Sequence, residues 1–174
     1  MKALGKNSIT VILDSILRVI SWALWATLGL LFLFGIPALI IDSYKDLSWV
    51  ANAPPAALVW PFAIMFAVFV LATQIIIHRL RKIFATLIEG DPFVPENASH
   101  MRTIWIVLAG FEVLNMLFSS GTLMAKKLFG DAFLQLQGEF HINWSLWLAV
   151  IVLIVLTEIF REGAKLRAEQ KLTI

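Results

Sequence analysis

Between Arg18 and Asp42 the chain carries 23 consecutive residues without a charge, VISWALWATLGLLFLFGIPALII. A bilayer core takes about 20 mostly apolar residues in helical form, and at about 1.5 Å per residue this run covers roughly 34 Å. A helix on a water-soluble domain keeps one polar face; this one offers no charge to water on any side. Three further runs repeat the constraint: Ala56 to Ile77, Thr103 to Ala125 with the single acid Glu112, and Ile142 to Phe160 with Glu158 near its end. Composition agrees, at 60% hydrophobic and 15% charged residues, where soluble domains run nearer 45–50% and about 25%.

The expected fold is all-α: one integral membrane four-helix bundle over residues 1–174. Its spans are 19–41, 56–77, 103–125 and 142–160, with a loop 78–102 and a tail 161–174. The first run is read as an uncleaved span. It is too long for the apolar region of a signal peptide, and no small-residue cleavage pattern closes it.

Lys and Arg on alternate connections set the orientation. Lys2, Lys6, Arg18, Arg79, Arg81, Lys82, Arg102, Arg161, Lys165, Arg167 and Lys171 fall on one side, against Lys45, Lys126 and Lys127 on the other. That bias places both termini and the 78–102 loop in the cytoplasm. The tryptophans fit the same map, since Trp22, Trp25, Trp49, Trp60, Trp105, Trp144 and Trp147 all fall near a span end, where indole rings prefer the headgroup boundary.

The connections differ in character. Residues 42–55 end in NAPP, whose prolines set an extended turn before the second span. Residues 126–141 mix apolar and polar groups as an interfacial amphipathic element does. After the second span, Leu80, Ile83, Phe84, Leu87 and Ile88 recur at helical spacing, so that helix is expected to run on and end with Gly90 at the C′ position. Pro92 and Pro95 stop its continuation, and Pro95 followed by Glu96 suits the first turn of the next helix. The fourth helix continues likewise into the tail, where Glu162–Lys165 and Lys165–Glu169 have the spacing of same-face pairs. Helices 2, 3 and 4 are thus expected to protrude from the membrane. Gly163 is unfavourable in a helix interior; either the 91–97 loop approaches it closely or it loosens the helix.

Chemistry-bearing groups are few. There is no cysteine, hence no disulfide framework, thiolate metal site or thiol nucleophile. His78, His100 and His141 match no ligand spacing, so no metal or cofactor is expected. Glu89, Asp91 and Glu96 beside Arg81, Lys82 and Arg102 read as a solvated ion-pair network, without nucleophile or pocket. No phosphate-binding glycine loop or catalytic triad spacing appears, and no enzyme is expected. Inside the spans, Glu112, Asn115 and Ser119 form a polar stripe. Its two readings are an ion or proton path through Glu112, Asn115 and Gln74, and a structural hydrogen bond from Glu112 to Gln74 or Thr73. The structural reading is preferred.

The segments GDPFVPENASHMR and EIFREGAKLRAEQKLTI, each following a span, resemble a bacterial membrane family, domain of unknown function 2975. The resemblance covers the whole layout and rests on Gly90, Pro92, Phe93, Glu96, Asn97 and Arg102 in the loop. In the tail it rests on Phe160, Gly163, Leu166, Arg167, Glu169, Gln170, Leu172, Thr173 and Ile174. Ser99 and His100 stand where the family pattern has basic residues. The family has no established activity. Its members often stand beside small helix-turn-helix regulators of the Cro/CI type, which implies a membrane partner that holds or releases a DNA-binding protein.

The expected function is a non-enzymatic binding platform for a small cytosolic protein, with no direct nucleic-acid contact and with homo-oligomers open. Its candidate contacts are Gly90, Asp91, Pro92, Phe93, Glu96, Asn97, Arg102, Gly163, Leu166, Arg167, Glu169, Gln170 and Leu172. The alternative is a small transporter or channel subunit built on Glu112, Asn115 and Gln74.

Overall fold

The computed structural model describes residues 9–42, 56–129 and 142–172. They form four helices: α1 (Ile9–Asp42), α2 (Ala56–Glu89), α3 (Pro95–Phe129) and α4 (Trp144–Leu172). The chain is the all-α four-helix bundle that its apolar runs predict. The NAPP connection, the interfacial element over 130–141, His141, Thr173 and Ile174 lie outside the described residues, as do the side chains of Trp60 and Leu172.

All four helices are long and apolar enough to cross a membrane, and the protein is a multi-pass membrane protein. The helices of 34, 34, 35 and 29 residues reach roughly 51, 51, 52 and 43 Å. A hydrocarbon core is about 30 Å thick, so each helix extends well beyond it. The packing is inside-out by the standard of a soluble protein. Trp22, Phe34, Leu117 and Leu148 are exposed, while the buried apolar core is thin, with Val70, Ile77, Ile83, Ile104 and Val150 among its members. In lipid, exposing these side chains carries no hydrophobic cost.

The helices pack in chain order. α1 lies on α2, α2 on α3 and α3 on α4; among the described residues no other pair brings Cα atoms within 8 Å. Specific pairs mark each seam. Between α1 and α2, Ser21 Oγ donates to Gln74 Oε1 at 2.7 Å, and Gln74 Nε2 returns a bond to the Ser21 carbonyl at 2.9 Å. Asp14 accepts from Arg81 at 2.7 Å and from Arg18 at 3.1 Å. Between α2 and α3, Phe62 meets Phe118 edge-on at 5.3 Å and Phe69 meets Phe111 at 5.5 Å.

The break between α2 and α3 follows from local chemistry. Gly90 takes a φ of 85°, a left-handed conformation that costs a glycine little. Gly90 N–H donates to the Leu87 carbonyl and Asp91 N–H to the Thr86 carbonyl, which together make a Schellman motif with Gly90 at C′. Pro95 then opens α3 with Glu96 in its first turn, as its fixed φ and missing donor favour.

The start of α4 is also capped. Asn143 Oδ1 accepts from Leu146 N–H at 3.1 Å, and Asn143's own N–H donates to Glu112 Oε1 on α3 at 3.2 Å. In a capping box a Glu three residues into the helix supplies that second bond. Here that position is Leu146, and the neighbouring helix supplies the carboxyl. Glu112, 2% exposed, therefore bonds not to Gln74 or Thr73 but to the beginning of α4; Thr73 donates to Phe69 on its own helix. The free N–H groups at a helix N-terminus need acceptors from outside the helix, and the Glu112 carboxyl supplies one across the α3–α4 seam.

Candidate functional site: the turn clasped to helix α4

The turn 90–94 is tied down from three directions. Asn97 is fully buried. Its Nδ2 donates to Thr86 Oγ1 at 2.7 Å and to the Pro92 carbonyl at 2.9 Å, while Thr86 Oγ1 donates to Ile83. One amide thus joins the last turn of α2, the connecting turn and the first turn of α3. Asn97 Oδ1 is buried with no partner among the described residues, so this group holds the turn at some cost in desolvation.

The other ties go to α4. Asp91 accepts a bond from Arg167, 76 residues along the chain. Phe93 stacks at a tilt against Phe160, centroids 5.6 Å apart, and lies over Gly163, where a Cβ would stand 2.7 Å from Phe93 Cδ1 and 2.9 Å from Cε1. Of the two readings of Gly163, close approach holds, and what approaches is the aromatic ring. The Asp91 partner corrects the ion-pair network expected from sequence: Arg167 on α4 takes Asp91, and Arg81 takes Asp14 on α1.

The sequence candidates therefore separate into two groups. Gly90, Asp91, Pro92, Phe93, Asn97, Gly163 and Arg167 meet at the clasp. Glu96, Arg102 and Leu166 face outward around it, with Glu169 and Gln170 exposed further along α4. Leu172 ends α4. The intramembrane candidates do not converge: Gln74 is engaged with α1, Glu112 with the start of α4, and Asn115 lies half-buried on α3.

Sequence reasoning missed Thr86, Asn143 and the Asp14–Arg81 pair. Asn143 carried a signal, since Asn immediately before an apolar run is an N-cap pattern. Asp14 and Arg81 carried none, being 67 residues apart.

No curated protein and no solved structure matches the chain. A family model does, over residues 46–174, a range that takes in both the turn and the α4 extension that meets it. The clasp thus lies wholly within the shared region, and the chain belongs to the family DUF2975, described as protein of unknown function.

Proposed function

We propose that this protein is a non-enzymatic platform of the bacterial inner membrane, both termini cytoplasmic, that binds a small soluble protein on the face made by the turn 90–97 and the α4 extension. The observation that carries the reading is the clasp: the Asp91–Arg167 and Phe93–Gly163 contacts join the two most distinctive segments into one element. Glu96, Arg102 and Leu166 are exposed around it, a mix of charge and apolar surface suited to a protein ligand. The family's frequent neighbours make a Cro/CI-type helix-turn-helix regulator the leading partner, sequestered at the membrane.

The test is affinity capture from gently solubilised native membranes, read by mass spectrometry, with wild type, Asp91→Arg, Arg167→Asp and the double reversal. A small DNA-binding protein captured by wild type, lost in each single variant and regained in the double one supports the platform. Capture that ignores all three variants, or no specific partner at all from well-inserted protein, counts against it. The transport reading draws on the near-complete burial of Glu112; it predicts that Glu112→Gln abolishes function while the clasp variants are mild.

A further inference from the structure

Four of the chain's six arginines have a carboxylate partner: Arg18 and Arg81 share Asp14, Arg161 pairs with Glu158 and Glu162, and Arg167 pairs with Asp91. Arg79 differs. Its Nη1 meets His100 Nδ1 at 3.3 Å across the α2–α3 seam, and among the described residues no carboxylate lies within 4 Å of it. Its Nε is buried without an acceptor among the described residues. An imidazole that accepts at Nδ1 carries its proton at Nε2, so the pair presents donors only. A neutral ring does not offset the guanidinium's charge.

The surroundings add charge of the same sign. Lys82 and His78 lie within electrostatic reach of His100, as does the acid Glu96. The position along the helices is equally specific. The uncharged run of α2 ends at Ile77, and Arg79 follows two residues later; His100 stands three residues before the run of α3 begins at Thr103. On the spans read from the sequence, this is the level at which hydrocarbon gives way to headgroups. On α2, Ile75 and Leu71 stand four and eight residues before Arg79, on the same helix face, and are 44% and 48% exposed.

We propose that Arg79 and His100, with His78 and Lys82 beside them, form a binding site for an anionic phosphate group, supplied by a phospholipid headgroup. Phosphate oxygens offer in-plane acceptors to a guanidinium fork and accept from imidazole Nε2–H and ammonium alike. The exposed Ile75 and Leu71 give the attached acyl chains an apolar track leading away from the charge, which a free phosphate would leave unused. Basic recesses between membrane helices are a recurring headgroup site.

The experiment is native mass spectrometry of the full-length protein in detergent, titrated with equal amounts of a phosphatidylglycerol and a phosphatidylcholine of identical acyl chains. Wild type is expected to retain the anionic lipid over the zwitterionic one by at least about fivefold. Arg79→Gln with His100→Gln is expected to remove the preference, and Arg161→Gln, at a carboxylate-paired site, to keep it. Equal retention of both lipids by wild type, or an unchanged preference in the double variant, overturns the proposal. Should the double variant fail to fold, Arg79→Lys keeps the charge and loses the fork, and a preference as strong as wild type's then overturns it. Inorganic phosphate in lipid-free micelles, against chloride at equal ionic strength, separates the sources. A rise in Tm in wild type alone identifies a soluble phosphate as ligand, and no rise with the lipid preference intact identifies the headgroup.

Discussion

Phe93 lies across Gly163 so closely that a β-carbon at position 163 would stand 2.7 Å from its Cδ1. The turn between α2 and α3 is thereby seated on the one α4 position in its path that lacks a side chain. The contact turns Gly163, which costs an isolated helix about 1 kcal/mol relative to Ala, into a requirement of the tertiary structure.

The first prediction is a reversal of sign. Gly163→Ala alone is expected to displace the Phe93 ring and raise hydrogen exchange at the amides of residues 91–97. In a Phe93→Ala background the same change meets no ring and stabilises α4 by about 0.5–1 kcal/mol. Equal effects of Gly163→Ala in the two backgrounds would show that the ring and the glycine are not coupled.

Asp91 and Arg167 are each about one-third exposed, at 34% and 38%, so their pair contributes only about 0.2–1 kcal/mol. Single charge reversals are expected to leave Tm nearly unchanged while speeding protease cleavage within 90–94. The double reversal restores the slow rate, and added salt narrows the difference. Cleavage rates that are the same in all four proteins would remove the ion pair from the clasp.

Asn97 carries more weight, because it is buried and joins three segments. Asn97→Ala leaves the Pro92 carbonyl without its donor and is expected to cost about 1–3 kcal/mol. Asn97→Asp is worse, since it sets a carboxylate against that carbonyl in a buried site. Thermal unfolding in nanodiscs measures both; an Asn97→Asp variant as stable as Asn97→Ala contradicts the assigned geometry.

Glu112 separates a structural role from a transport role. Gln retains an oxygen that accepts from Asn143 N–H, so Glu112→Gln is expected to keep α4 in register with Tm nearly unchanged. Glu112→Ala removes that acceptor and costs about 0.5–1.5 kcal/mol. Hydrogen exchange at residues 143–147 distinguishes them. Variants that are equally damaged, with the start of α4 intact in each, would favour an ion path instead.

What sequence reasoning recovered is what local chemistry determines. The four runs declare themselves by length and lack of charge, and the end of α2 by Gly90, Pro92 and Pro95 in order. The seams were not legible, for a physical reason. A helix in lipid is apolar on every side, so the periodicity that marks the buried face of a soluble helix is absent. Nothing in the sequence announces that Ser21 meets Gln74, that Arg81 reaches back to Asp14, or that Glu112 turns toward Asn143. Gly163 was legible as an anomaly only, because a helix-weakening residue signals a close neighbour without naming it.

The order of the helices carries a consequence for biogenesis. From α2 onward each helix packs on its immediate predecessor, so during synthesis each of these three spans finds a partner already in the bilayer as it leaves the insertion machinery. Among the four, α1 alone waits for a later span in order to pack. Arg167 and Gly163 reach the turn some seventy residues after it was made. The clasp therefore closes only on a chain whose α4 has been threaded, and its closure reports the arrival of that helix.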